Sequence, residues 1–190
     1  EEYKKLKQAV ITQAVTKGIF DKQIYPHNVK LKYLLYIASG DAIRNEELSE
    51  VGKYPAYGGG ESLGFASKYN TLENSLIVGR VGARCGCVTY IDSKAWATDN
   101  ALIVHPICNP RYMYYMLIYS QLNNLNTSNA QPLITATKIE NVVVPYFLED
   151  ICQRKIVDFL DEKCACIDAI IEKKQQYLTE IENYKKSLIY

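Results

Sequence analysis

The C-terminal stretch constrains this chain most. From Val157 onward apolar residues recur every seven positions: Val157, Cys164, Ile171 and Leu178 fall at position a of a heptad, and Leu160, Ile167, Ile181 and Leu188 at position d. Lys185 and Lys174 take the remaining a and d places, and neither Gly nor Pro interrupts the run after Pro145. Such a pattern specifies one continuous helix, and about 40 residues rising 1.5 Å each make a rod of roughly 60 Å. A rod of that length outreaches a small domain, so part of its apolar stripe must be covered, either by another helix or by the chain's own domain folded beneath it. The reading adopted is a coiled-coil arm over 150–190 that pairs antiparallel with a second copy, Lys174 and Lys185 weakening the seam and biasing its register.

A length of 190 residues suits one core with appendages rather than two equal domains. At the start, Leu6, Val10 and Ala14 lie at helical spacing and Gly18 is a natural stop, which predicts a short helix over 1–18. Between 19 and 149 the texture changes to short apolar runs broken by Gly, Pro, Asn and Ser. Strands are expected over 75–82, 86–91, 101–105 and 140–146, and a buried helix over 111–122 behind Pro110. The expected class is therefore α+β: a mixed globular domain, a long C-terminal helix and a short N-terminal one. Glu1, Tyr3, Lys4 and Lys5 recur in the same order as Glu182, Tyr184, Lys185 and Lys186. That repeat on two helices flanking one domain predicts a tandem parent, domain, helix, domain, helix, from which a chain lacking an initial Met would be cut.

The formal charge is 22 − 21 = +1, which excludes a general basic field; any affinity for nucleic acid must come from local placement of cations. No apolar run approaches the length of a membrane span, and the charged start EEYKKLKQ is unlike a signal peptide, so a soluble cytoplasmic protein without membrane attachment is expected. Six Cys include two Cys-x-Cys pairs, Cys85 with Cys87 and Cys164 with Cys166, too close for easy bridging and without metal-ligand spacing. With His27 and His105 the only histidines, a reduced chain with no metal site is expected.

Catalytic motifs are incomplete. Asn109-Pro110-Arg111-Tyr112 copies part of the motif with which a methyltransferase holds its target amine, but no glycine-rich cofactor loop accompanies it. The glycines from Gly58 to Gly64 lack the Lys-Ser/Thr ending of a nucleotide-binding loop. Asp161-Glu162-Lys163 has nuclease-like carboxylates, yet lies beside the helix seam where charges normally face water. An enzyme built on Cys85 or Cys87 would need a thiolate of lowered pKa and a base. A non-catalytic protein without a cofactor is the expectation.

The ordered segments YPAYGGGESLGF (54–65), LIVGRVGARCGCV (76–88), AWATDNALIV (95–104), AQPLI (130–134) and IVDFLDEK (156–163) resemble the DNA specificity subunit of type I restriction-modification systems along nearly the whole chain. The resemblance implies the second of two target recognition domains (19–149), preceded by the tail of the first conserved helix (1–18) and followed by the second (150–190). It implies further a subunit without chemistry of its own, which reads half of a split double-stranded DNA target. Modification subunits docked on its helices would supply S-adenosylmethionine-dependent adenine methylation, and a restriction subunit would supply cleavage. The link PYFLEDICQRK (145–155) departs from the proline-rich junction usual in the family.

Within such a domain the candidate readers follow from side-chain chemistry. Gly59 and Gly60 either close a tight turn or let backbone approach a groove, with Tyr57, Glu61 and Ser62 offering side chains around them and the Tyr57 and Ser62 hydroxyls able to bond base edges or phosphates. Arg84 and Arg80, bracketing glycines, suit guanine or phosphate, although Arg80 has Asp99 and Glu73 as possible partners on the domain. Arg44, Lys53, Lys68 and Lys94 would supply a phosphate-binding face if they converge. Asn129 and Gln131 carry amides of the kind that pair with adenine. Trp96 is expected in the core rather than as a stacking platform. A rival from another class, a coiled-coil assembly protein whose head binds protein or glycan, explains the heptads equally well but not the ordered motifs.

Overall fold

The computed structural model describes residues 2–20, 24–125 and 132–187. Helix α1 (Glu2–Lys17) ends where Gly18 adopts φ +72° and donates its N–H to the Ala14 carbonyl at 3.0 Å. Among the described residues ten strands follow: β1 (His27–Lys30), β2 (Leu35–Ser39), β3 (Leu48–Ser49), β4 (Tyr54–Gly58), β5 (Glu61–Ala66), β6 (Ser75–Gly79), β7 (Val88–Ile91), β8 (Trp96–Ala97), β9 (Ala101–Pro106) and β10 (Val143–Tyr146). Helices α2 (Pro110–Tyr119) and α3 (Ala136–Glu140) lie between β9 and β10, and α4 (Asp150–Ser187) closes the chain.

The central sheet, ordered β2-β9-β6-β7, is antiparallel throughout. Every residue of β6 is buried, because successive side chains enter two different layers. Leu76 and Val78 pack with Leu102, Val104, Met113, Met116 and the long helix, whereas Ile77 joins Ile91, Ala97 and Ile103 on the other face. That second face looks toward the sheet β3-β5-β4-β8, in which β4 and β8 are parallel. A two-stranded antiparallel ribbon, β1 with β10, leads into α4.

Helix α2 explains the partial methyltransferase motif. Asn109 is the N-cap, its Oδ1 accepting the Tyr112 N–H at 3.0 Å, and Pro110 sits in the first turn where its missing N–H costs nothing. The Asn-Pro pair is thus a helix start. The unusual junction is held by polar contacts: Gln153, fully buried, donates to the Phe147 carbonyl at 2.7 Å, and the Phe147 N–H donates to the Tyr112 hydroxyl at 3.2 Å.

The expected strand over 75–82 stops at Gly79, and residues 80–87 form a loop with a single 3-10 turn at Gly82–Arg84. The strand expected from 140 begins at Val143, since α3 occupies the preceding residues.

The long helix corrects the seam. Val157, Leu160, Cys164 and Ile167 are buried within the chain, the first three in the cluster that includes Ile11, Ala14 and Val15 of α1 and Tyr115 of α2. Helices α1 and α4 run antiparallel, as Lys7 reaches Asp168 at 2.6 Å while Lys174 lies over the ring of Tyr3 at 4.6 Å. The upstream half of the heptad run is therefore covered by the chain's own helices and is closed to a second copy. Ile171 is half-buried, Leu178 and Ile181 are exposed, and Leu188 lies outside the described residues. Beyond Lys174 the arm continues about 20 Å to Ser187 without cover.

A polar joint fixes the departure of the arm from the head. Asp161 of α4 accepts from Arg111 Nε at 2.8 Å and from the Tyr115 hydroxyl at 2.5 Å, and the guanidinium lies 5.0 Å from the ring centres of both Tyr90 and Tyr114. Burial, and then the bond to Asp161, hold the Tyr115 hydroxyl protonated far above its ordinary range. Asp161 is thus a structural acceptor rather than a metal-binding carboxylate; Glu162 and Lys163 pair with each other at 3.0 Å on the surface. Among the described residues no helix is long and apolar enough to cross a membrane, and no group of three His, Cys, Asp or Glu could hold a metal ion.

Candidate nucleic-acid interface

The sequence-predicted cations gather at two ends of one hairpin. Strands β4 and β5 are joined by Gly59 and Gly60, whose φ values of +62° and +95° meet the requirement of a two-residue hairpin turn for left-handed backbone at both positions. Four residue steps of strand, about 13 Å, separate this tip from Tyr54 at the other end.

At the far end lie Arg44, Lys53, Lys68 and Lys94. Lys53 Nζ stands 5.1 Å from the ring centre of Tyr54, which packs at 5.0 Å on Tyr69, which in turn carries Lys94 at 4.7 Å. Next to Tyr69 in sequence, Lys68 lies 4.7 Å over Trp96 and 3.4 Å from Glu47 Oε1. Glu47 Oε2 accepts the Arg44 N–H at 3.0 Å. This backbone bond and then Lys68 hold the Glu47 carboxyl below its usual range. Four cations spread over 50 positions of sequence are thereby brought to one end of one sheet, three of them resting on aromatic faces that order their long side chains. The rings of Tyr54 and Tyr69 were not among the predicted site residues; the Lys-Tyr dipeptides at 53–54 and 68–69 were the available signal. Trp96 is 6 % exposed, a core residue with one face under Lys68.

At the tip, Arg84 bonds Glu61 at 2.5 Å, and both side chains are about half exposed, 53 % and 55 %. Ser62 is exposed beside them. Three other predicted readers are placed differently. Gly59 is buried, and its carbonyl lies where a Cβ on Gly79 would stand, so the close approach foreseen for this glycine is made to its own chain. Tyr57 packs against the layer of Ile77 and Ile103, where burial and then the charge of Asp92 raise its hydroxyl pKa. Half-buried Arg80 pairs with neither Asp99 nor Glu73; its backbone carries the load, the N–H donating to Asn100 at 3.0 Å and the carbonyl accepting from Ile134 at 2.9 Å. Asn129 and Gln131 lie outside the described residues.

The tip rests on the 80–87 loop. The Thr89 hydroxyl donates to the Gly60 carbonyl at 3.5 Å, and the Gly86 N–H to the Gly79 carbonyl at 2.8 Å. A cleft of about 740 Å³ runs from Gly60 and Arg84 to Asn123 and, on α1, Lys4 and Gln8. Because a methyl group on Gly79 would meet the carbonyls of both Gly59 and Arg84, Gly79→Ala is expected to cost about 1–3 kcal/mol. Urea denaturation checks it; an unchanged midpoint would show that the tip and loop are not packed as described.

Cys85 and Cys108 do not offer an activated thiolate. Burial raises Cys85, and it pushes Cys108 up to about 11, the opposite of what an activated thiolate needs.

Comparison with known proteins decides the family. The family model described as type I restriction modification DNA specificity domain matches residues 27–182. The chain belongs to this family. A specificity domain is a recognition module rather than a catalytic one, and its role is DNA sequence recognition. The type I restriction enzyme EcoprrI specificity subunit of Escherichia coli is 28 % identical over 137 residues, which make up 70 % of this chain and 34 % of that protein. A type I specificity subunit of Mycoplasma genitalium is 27 % identical over 146 residues, 72 % of this chain and 38 % of the relative. Among solved structures, the S subunit of M. genitalium superposes with a TM-score of 0.73 at 22 % identity, covering 90 % of this chain and 50 % of that one. The HsdS subunit of Thermoanaerobacter tengcongensis gives 0.65 at 16 %, covering 90 % and 46 %. The specificity domain described here thus spans about a third of the curated relatives' length and half that of the solved subunits, with the same mixed α/β fold and long helix.

Proposed function

We propose that this specificity domain reads one half of a split double-stranded DNA target, as one target recognition domain (19–149) held between the end of one helix (1–18) and a helical arm (150–190). The observation that carries the reading is the convergence of Arg44, Lys53, Lys68 and Lys94 on one end of the β3-β5-β4-β8 sheet. Phosphate contacts there would set the register of the domain on the duplex, and the hairpin tip with Arg84 and Ser62 would reach the bases. Lys68 would exchange Glu47 for a phosphate on binding. Convergence explains how a chain of net charge +1 binds a polyanion: the cations need only share a face.

The arm serves this function as spacer and docking surface for modification subunits, with a restriction subunit joining the assembly for cleavage. Self-association through the arm falls to Ile171, Leu178 and Ile181, the described seam residues that the head leaves wholly or partly open.

Randomised-duplex selection, with and without a modification subunit and at two salt concentrations, tests the reading. Enrichment of a motif of a few base pairs, with affinity falling steeply as salt rises, is expected. An inverted pair of motifs at fixed spacing would report self-association through the arm, and a single motif its absence. No enrichment with the partner present would overturn the recognition function in favour of a head that binds protein or glycan.

A further inference from the structure

We propose that the Glu61–Arg84 pair is the element of the hairpin tip that reads sequence, and that it reads one G·C base pair in the major groove, Arg84 on the guanine and Glu61 on its cytosine. The assignment rests on the recognition function above and deepens it by naming the base pair.

Position comes first. Strand β3 pairs with β5 only at Phe65 and Ala66, and β8 pairs with β4 only at Ala56 and Tyr57, so Gly58 to Leu63 pair only with each other across the hairpin; the turn itself rests on the body of the domain, and Glu61, Ser62 and Leu63 are exposed on its outer side. The major groove, about 12 Å wide, is open to side chains carried on such an edge. The tip and the lysine end of the hairpin stand about 13 Å apart along the strands, so one can reach base edges while the other holds backbone.

Charge decides what the tip can touch. A guanidinium paired with an exposed carboxylate at 2.5 Å must give that bond up to reach a phosphate, as Lys68 would give up Glu47, and the freed carboxylate is then left beside the phosphate; at a base pair both members of the pair find a partner. Lys53 and Lys94 rest on rings rather than on carboxylates and suit that task better. An exposed ion pair also adds little to stability, so exchanging this one for other partners costs the fold little. Base edges offer a partner to both members. Arg donates only and grips guanine O6 and N7 with two bonds, whereas a carboxylate accepts only and takes the N4 amine of cytosine. Together the two side chains present the donor and acceptor set that complements both halves of one G·C pair.

The backbone beneath Arg84 is fixed: the Cys85 N–H donates to Gly82 at 3.0 Å, the Cys87 N–H to Arg84 at 2.9 Å, and Gly79 admits the Arg84 carbonyl where any side chain would collide. Only the half-exposed side chain is left to swing from Glu61 to a base.

The test is motif selection and affinity measurement with the chain and a modification subunit, comparing the native sequence with Arg84→Ala, Arg84→Lys and Glu61→Gln. Both side chains are exposed, and unchanged thermal melts would show that the variants fold. Arg84→Ala is expected to abolish the guanine preference at one motif position, lower affinity for the native motif about 5- to 150-fold, and leave the salt slope unchanged. Arg84→Lys keeps the charge and is expected to lose the same preference. Glu61→Gln is expected to weaken that position and no other. A uniform loss of affinity with the motif intact and the salt slope reduced by about 1 would make Arg84 a phosphate contact and overturn the assignment. No change in any variant would leave Glu61–Arg84 a surface ion pair and overturn it too. Failure of the native chain to enrich any motif is a distinct result, which would overturn the recognition function along with it.

Discussion

Leu160→Ala is expected to lower the unfolding free energy by about 2–5 kcal/mol, while Leu178→Ala, in the same heptad run, is expected to change it by less than about 0.5 kcal/mol at protein concentrations low enough to keep copies apart. Leu160 is fully buried in the cluster formed with α1 and α2, so truncation leaves a cavity that its neighbours can only partly fill. Leu178 is 60 % exposed on the bare part of the arm and has nothing to lose in an isolated copy. Urea denaturation of the two variants at several protein concentrations checks both statements. Comparable losses for the two, with that of Leu178→Ala growing as the protein is concentrated, would show a second copy on the arm in solution. Equal losses at every concentration would contradict the division of the seam.

The triple variant Lys53→Gln, Lys68→Gln, Lys94→Gln is expected to weaken DNA binding on the order of 100-fold at low salt, and to do so for all sequences alike. If each lysine neutralises one phosphate, the slope of log affinity against log salt becomes shallower by about 0.9 per lysine, roughly 2.7 in total. The three side chains lie on ring faces at the surface, so the substitutions leave no cavity in the core. A salt titration of a fluorescent duplex measures the slope. An unaltered slope would remove these lysines from the interface and with them the observation on which the proposed function stands.

Local signals in the sequence located several elements well. Gly18 ends α1, Pro110 opens α2, and the apolar runs in β6 and β9 form strands with both faces covered. Each rests on physics confined to a few neighbours: a left-handed residue at a helix end, a missing N–H, a stretch without polar interruption. The strands β4 and β5 were not among those expected, although a tight turn was one reading of the three glycines between Tyr57 and Glu61, of which Gly59 and Gly60 form it. Its alternation is blurred, because Ala56 and Ala66 are buried while Leu63 is exposed.

For the site, residue chemistry nominated the right kinds of side chain but not their uses. Arg84 stood out beside its glycines, yet its partner Glu61 lies 23 positions upstream and meets it only because the hairpin tip folds onto the 80–87 loop. Gly59 was nominated for a close approach that it does make, to Gly79 rather than to a ligand.

Taken alone, the sequence determined the family, through the ordered motifs along its length, and the long helix, through a heptad repeat free of Gly and Pro. Both are written in neighbouring residues, since helical periodicity and turn chemistry act over a few positions. Which half of the helix is covered, and which cations share a face, only the tertiary structure decided. An apolar stripe demands burial without naming the surface that buries it, and a charge gains a role only from the groups that packing sets beside it. Here α1 took the upstream half of the stripe, and the sheet gathered four scattered cations at one end.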